Sequence, residues 1–225
     1  TVQIANGQKL ADLTGICVVN DFRSDDLMNG GEGAPLAPVH HQHLSQALEH
    51  KGRLPFLFCN GGNTGNLSLI STSIETPSSP HKETQVLGWD TGPFNHYPDL
   101  LMRKNTALPF DQDGLVGQKG TVNHQLLRML YNQSTLIRQP DKKVTNFLEI
   151  TPPKSSDPIF YQWIKGLDAA DITFEDRVKT AEYFAAYAFV LSLDFVPEHI
   201  LFPRHFGLCG GGWKNPIIQE SFQNL

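Results

Sequence analysis

LPFLFCNGGNTGNLSLI, residues 54–70, decides the fold. LPFLFCN (54–60) and NLSLI (66–70) are apolar runs of strand length. The GGNTG between them is the Gly/Asn turn that joins two antiparallel neighbours, and a turn this tight is expected to need positive φ. C-terminal to this hairpin, QVLGWD (85–90) resumes the sheet and ends on Asp90. The intervening STSIETPSSPHKET (71–84) is polar and rich in Pro and Ser, without an apolar face to bury, and reads as a mobile extension. Pro93–Asn95 is where the next helix should start, because proline fits a first turn. A further helix is expected from about Val122 to Asn132, with Val122, Leu126, Met129 and Leu130 on one face. After it comes the longest helix. Thr173 followed by Asp176 resembles a capping box, and Phe174, Val178, Ala181, Ala185 and Ala188 recur at helical spacing. FGLCGGGWKNP (206–216) reads as strand, glycine turn and helix start, with Pro216 in the first turn. N-terminal to the hairpin, Ile16–Val19 reads as a short buried strand, NGGEGAPLAP (29–38) as a shaped loop, and about Pro38 to His50 as a helix. Strands interleaved with helices make an α/β protein.

The chain has 225 residues, 40% hydrophobic and 18% charged, enough to bury a core in one large domain or in pieces of two. Its net charge of −5 offers no basic surface to nucleic acid or to anionic lipid. No apolar run approaches the roughly 18 residues of a membrane span, and TVQIANGQKL has neither a basic leader nor a hydrophobic segment. With no initiator Met and a helix-like SFQNL at the other end, both ends read as cut. Cys17, Cys59 and Cys209 are odd in number and widely spaced. They form neither a disulfide framework nor a zinc knuckle, which fits a reducing cytoplasm.

Three glycine-rich turns follow strands: Gly30–Gly33, Gly61–Gly65 and Gly210–Gly212. Glycine lets backbone approach a ligand and aim consecutive N–H groups at an anion, although most glycines merely turn the chain. Asp90, at the carboxyl end of a strand, would face the crevice where α/β proteins bind ligands, and could take a proton from water or a sugar hydroxyl. It could equally be the N-cap of the helix that follows. His40, His41 and His43 invite a metal reading, but a packed or surface helix face explains them as well. Lys154 could meet a phosphate as a point charge or simply be a loop lysine.

Five blocks then carry a family resemblance. VVNDFRSDDLMNGGEGAPLAPVHH (18–41) resembles the DFR…GGxGAPLxPxxH signature of anhydro-N-acetylmuramic acid kinases. WDTGPFN (89–95) is similar to that family's DTGPxN, and FDQDGLVGQKGTVNHQLL (110–127) to its (Y/F)DxDGxxAxxGxV region. PPKSSDPIF (152–160) resembles PPKSTGREx, and CGGGWKNP (209–216) resembles CGGGxxNP. The blocks run in the right order over most of the chain.

The resemblance implies an actin-like ATPase (ribonuclease H-like) fold. Residues 1–50 would be the tail of a first domain and residues 51–225 most of the second. It implies a cytoplasmic enzyme of peptidoglycan recycling that binds ATP with Mg²⁺, opens the 1,6-anhydro bridge of the amino sugar 1,6-anhydro-N-acetylmuramic acid and phosphorylates O6. A homodimer is implied too, as is the absence of a protein-held metal. Asp90 would be the general base. Gly210, Gly211, Gly212 and Asn215 would lie at adenine and ribose, and Gly61, Gly62 and Asn63 at the phosphates. Asp21, Arg23, Gly31, Gly33, Thr91 and Asn95 would lie on the sugar side. The family's SGTSxDG phosphate loop, its HGQTV-type strand and its C-terminal Glu have no counterpart here. Asn63 stands where the family has Gly, and Phe94 and His96 make an unusual DTGPFNH. Phosphoryl transfer depends on positioning and charge stabilisation, so this chain alone should be a poor catalyst. The competing reading is a non-catalytic relative that binds nucleotide or a partner.

Overall fold

The structure is a computed structural model, and it describes residues 5–30, 33, 36–49, 51–72, 84–133 and 171–225. Of the extension expected at 71–84, Ser71, Thr72 and Thr84 lie in strands, because the ladder runs further than the apolar residues do, and 73–83 lie outside the described residues, as do Lys154 and the PPKS block. The chain divides into two compact units, Thr1–Ala37 and Pro38–Leu225.

In the first unit the expected strand at Ile16–Val19 is absent. These residues form an irregular segment, with Ile16 67% and Val19 73% exposed. A four-residue apolar run has no strand character without a partner to pair with. The unit is helical instead: α1 (Gly7–Thr14) and α2 (Phe22–Met28). Asn6 caps α1 by accepting from the Lys9 N–H at 2.9 Å, and Gly15 ends it in the left-handed region at φ 67°.

The second unit opens with α3 (Ala37–Glu49), where a helix is expected. Its His41 stacks on Phe58 with ring centroids 4.2 Å apart. Strands β1 (Phe56–Gly61), β2 (Thr64–Thr72), β3 (Thr84–Pro93) and β4 (His205–Cys209) form one sheet in the order β3-β2-β1-β4. The first three pair antiparallel and β4 joins β1 in parallel, so the sheet is mixed. Helices α4 (His96–Asn105), α5 (His124–Gln133), α6 (Phe174–Ser192) and α7 (Pro216–Asn224) are the unit's further α-helices among the described residues. Val122 lies just before α5, while Leu126 and Leu130 are fully buried in it.

Helix α6 organises the core. Its N-terminal half gives Val178, Ala181 and Phe184 to a cluster with Tyr97, Leu101, Met102, Leu126 and Leu130 from α4 and α5. The C-terminal half gives Ala185, Ala186 and Phe189 to the sheet cluster, with Leu57, Cys59, Leu67, Trp89, Phe94, Trp213 and Ile218. The small residues foreseen at helical spacing are what let the helix lie this close. Thr173 caps α6 as expected, accepting from the Asp176 N–H at 3.2 Å. The Asp176 carboxylate also accepts from the Thr121 N–H at 2.6 Å and pins the preceding loop.

Candidate functional site

The hairpin forms without a left-handed residue, since neither Gly62 nor Asn63 has positive φ. The turn is held from outside instead. The N–H groups of Phe94 and His96 donate to the Asn63 carbonyl at 3.0 and 3.3 Å, and Asn95 N–H donates to the Gly62 carbonyl at 3.1 Å. The start of α4 therefore docks on the β1–β2 turn, and these bonds replace the local ones that a two-residue turn would otherwise rely on.

Strand β3 continues past Asp90 to Pro93. Asp90 pairs with Asn66 and Gly92 with Gly65, leaving Thr91 as the extra residue of a bulge. Bulges re-aim side chains and concentrate beside active sites. The N-cap of α4 is Asn95, so the capping alternative for Asp90 fails. Trp89, on one side of Asp90, is buried in the core, and strand alternation puts half-buried Asp90 on the opposite face. Thr91 is only 1% exposed, and a Cβ at Gly65 would run into its hydroxyl, so Thr91 is turned into the protein.

The two glycine turns of this unit adjoin. Asn60 pairs with Cys209, and a Cβ on Gly210 would lie 2.7 Å from the Gly61 carbonyl oxygen. Gly210 also sits at φ 92°, a region that only glycine enters without strain. Asn95 bridges the turns: its amide donates to the Gly61 carbonyl at 3.3 Å, and Gly212 abuts the same amide. Beneath them Trp213 donates from Nε1 to the Cys59 carbonyl at 2.8 Å, within a cluster of Phe94, Phe189 and Trp213 rings 4.9–5.3 Å apart.

A cavity of about 460 Å³ opens on this junction. Gly211, Gly212, Lys214 and Asn215 form one wall, Phe110 to Asp113 another, and Asn95, Asp99 and Glu182 complete it. The volume lies in the range of small-molecule sites. Packing demands glycine at 61, 210 and 212, where a Cβ would meet atoms at under 3 Å, but not at Gly211, around which nothing lies within 4 Å. Asn215 is committed within the protein. Its Oδ1 caps α7 by accepting from the Ile217 N–H at 2.9 Å, and its Nδ2 donates to Glu182 Oε1 at 2.6 Å.

The DxDG block also acquires a structural reason. Asp111 accepts from the Val116 and Gly117 N–H groups at 2.9 and 2.8 Å and knots the loop. A Cβ on Gly114 would strike Ile217 of α7, while one on Gly117 or Gly120 would strike α6 at Glu182 or Glu175. Glycine at every third position lets the loop lie on both helices.

Glu182 is the residue that motif reading misses. It is 0% exposed in the middle of α6, and burial, with the charge of Asp111, pushes its pKa up to about 8. Asp99, on α4, is raised to about 6 by burial, against the pull of Arg103. The one available signal is a Glu among apolar residues at helical spacing, which marks an acid turned inward.

In the first unit Arg23 donates from Nη1 to the Gly33 carbonyl, and the Gly33 N–H donates to Asp26 Oδ2 at 2.7 Å. The two side chains clamp the Gly33 backbone at φ 69°. Asp21 takes φ 61° and accepts from the Ser24 hydroxyl at 2.6 Å. Gly31 lies outside the described residues.

Among the described residues no group of three or more His, Cys, Asp and Glu side chains is placed to hold a metal ion, and no helix is long and apolar enough to cross a membrane. The profile of the family described as anhydro-N-acetylmuramic acid kinase matches residues 1–225. Proteins named anhydro-N-acetylmuramic acid kinase are similar to this chain in Methylorubrum populi, 35% identical over the whole chain and 52% of the relative, and in Zymomonas mobilis, 34% identical over 98% of the chain and 52% of the relative. One from Legionella pneumophila is 30% identical over the whole chain and 54% of its own length. The chain thus spans about half the length of the curated relatives it matches. It belongs to the anhydro-N-acetylmuramic acid kinase family, a family of sugar kinases with the actin-like ATPase fold.

Proposed function

We propose that this chain carries the nucleotide cavity and the general base of an ATP-dependent kinase that opens the anhydro bridge of 1,6-anhydro-N-acetylmuramic acid and phosphorylates O6. The observation that carries the reading is the family match over residues 1–225. The adjoining glycine turns at one end of the sheet support it, because they are where a nucleotide would lie.

The cavity fits a nucleoside. Gly211 presents bare backbone that no packing requires. Gly211, Gly212 and Lys214 would hold the adenosine side, and Gly61, Gly62 and Asn63 the phosphate side. ATP, when bound with Mg²⁺, supplies the phosphoryl group; no residue of this chain is assigned to the metal. Asp90, set by the bulge on the non-core face of β3, takes a proton from the water that adds at C1 of the sugar. As the new C–O bond forms, the C1–O6 bond breaks and its electrons remain on O6, which would then bond to the γ-phosphorus as the bond to the ADP leaving group breaks. Arg23, Asp21 and Gly33 would shape the sugar side, and an intact homodimer in the cytoplasm is the expected form.

The test is phosphoryl transfer by the intact protein from labelled ATP to 1,6-anhydro-N-acetylmuramic acid in ¹⁸O water. The expected product is a ring-opened 6-phosphate with one ¹⁸O at C1. Nucleotide binding with no turnover of the sugar would overturn the catalytic reading and leave a binding protein.

A further inference from the structure

We propose that Asp99 sets the ribose specificity of the nucleotide cavity: its carboxylate, on the cavity side of α4, accepts hydrogen bonds from the ribose hydroxyls of the bound nucleoside. This deepens the nucleotide reading above and rests on it.

Asn95, at the N-cap of α4, and Asp99, four residues on, both line the cavity. That spacing puts them on one side of the helix. Asn95 marks where the two glycine turns meet, because its amide donates to the Gly61 carbonyl and Gly212 abuts it. Four residues of helix rise about 6 Å. A nucleotide whose phosphates lie at the turn of Gly61, Gly62 and Asn63 has its ribose next after them. One helical turn from Asn95 is therefore the place of the ribose, with the base further on.

The Asp99 carboxyl is short of donors. Its side chain is 25% exposed, so a molecule in the cavity can reach it. Arg103 Nη1 stands 3.9 Å from Oδ2, beyond hydrogen-bond distance, and donates instead to the Pro109 carbonyl at 3.3 Å. Burial raises the pKa of Asp99 to about 6 against the pull of Arg103, with no hydrogen bond from the described residues to offset it. At neutral pH the group is thus a charged, partly desolvated acceptor, which ligand donors complete. The other acids of the cavity are engaged elsewhere. Asp111 accepts from the Val116 and Gly117 N–H groups, and Glu182 is tied to Asn215 and Asp111. Asp113 is exposed, so water already solvates it. A carboxylate only accepts, and the vicinal hydroxyls of ribose offer a donor to each of its two oxygens. Dinucleotide-binding folds use an acidic residue on a ribose hydroxyl in the same way. A nucleotide phosphorylated on the 2′ or 3′ oxygen would set like charges together and be rejected.

The experiment is calorimetric titration of ADP, 2′-deoxy-ADP, 3′-deoxy-ADP and inosine diphosphate into the intact kinase at neutral pH, for the wild type, Asp99→Ala and Asp99→Asn. The wild type should bind ADP about ten- to a hundredfold more tightly than at least one deoxy analogue, the loss expected for a hydrogen bond to a charged group. In Asp99→Ala that preference should shrink to about twofold or less, while the ratio of ADP to inosine diphosphate stays that of the wild type. Asp99→Asn keeps an acceptor without its charge, and its preference should be several-fold smaller than the wild type's. An ADP preference over both deoxy analogues that is the same in the wild type and in Asp99→Ala would overturn the proposal. So would a collapse of the inosine diphosphate ratio in its place, which would seat the exocyclic amine of the base at Asp99. Should Asp99→Ala not fold, an unchanged preference in the nearly isosteric Asp99→Asn is the overturning result. A cooperatively melting wild type that fails to bind ADP would instead remove the nucleotide reading itself, before any variant is compared.

Discussion

Asp90 and Glu182 are two carboxyls of the same unit in opposite settings. Asp90 lies half-buried on a strand beside a bulge, between Trp89 and Thr91 in sequence and opposite Asn66 across the ladder. Glu182 is sealed into a helix core, and its surroundings are assembled from far away, with Asp111 on one side and Asn215 on the other. The half-buried group keeps access to water, as a general base must. The sealed one is pushed toward its neutral form. One sheet-and-helix framework thus leaves one carboxyl half-buried on a strand and seals the other in a helix core.

The largest expected effect tests the first half of this contrast. In the intact enzyme Asp90→Asn should retain the fold and nucleotide affinity and lower kcat about 10²–10⁴-fold, because it removes a charged proton acceptor from a nearly isosteric side chain. Asn95, not Asp90, stands at the N-cap position of α4, so the substitution disturbs no helix terminus. Near-normal kcat with an unchanged melting temperature would return Asp90 to a structural role and break the comparison.

The second prediction concerns stability. The folded state holds the Glu182 proton up to about pH 8, whereas the unfolded chain releases it near the ordinary value of 4.5. Between those limits the folded state binds more protons, so the stability contributed by this group is complete below about pH 4.5 and is lost as pH rises towards 8. Glu182→Gln has no such loss. The difference in unfolding free energy between variant and wild type should therefore grow in favour of Gln from pH 5 to pH 8, by on the order of 2–4 kcal/mol. Denaturant melts at several pH values read it directly, and a constant difference would mean that Glu182 ionises freely.

The same contrast explains what was legible. The hairpin, the Thr173 cap and the small-residue face of α6 rest on neighbours within one or two turns of chain, and sequence periodicity finds them. Ile16–Val19 failed because a short apolar run looks the same whether or not a strand waits to pair with it. The first-unit helix α1 was not anticipated, although Asn6 and Gly15 mark its ends. The hairpin turn was read as needing left-handed residues because local rules assume a turn must close itself; here the α4 start closes it. The resemblance implies a ligand role for Asn215, while its bonds to Glu182 and to the Ile217 N–H join residues that no motif connects. Glu182 belongs to no motif, since its meaning depends on residues 33 and 71 positions away, as the numbering shows.

The smallest expected effect separates glycines that serve packing from those left for a ligand. Gly211 and Gly212 are adjacent and both line the cavity, yet their surroundings differ. A Cβ on Gly212 would press into Phe94 and the Asn95 amide that ties the two turns together. Gly212→Ala should therefore cost about 1–3 kcal/mol of stability through overpacking and weaken ADP binding indirectly. Around Gly211 nothing lies within 4 Å and its φ is not positive, so alanine meets neither clash nor backbone strain. Gly211→Ala should melt within a degree or two of the wild type, with a gain of at most about 0.4–1 kcal/mol from the stiffer unfolded chain. If bare backbone at Gly211 faces the nucleoside, the added methyl should still weaken ADP binding a few-fold while sugar affinity stays unchanged. ADP affinity equal to wild type in Gly211→Ala would place the nucleoside away from this turn, and would shift the reading of the cavity towards the wall formed by Phe110 to Asp113 and Glu182.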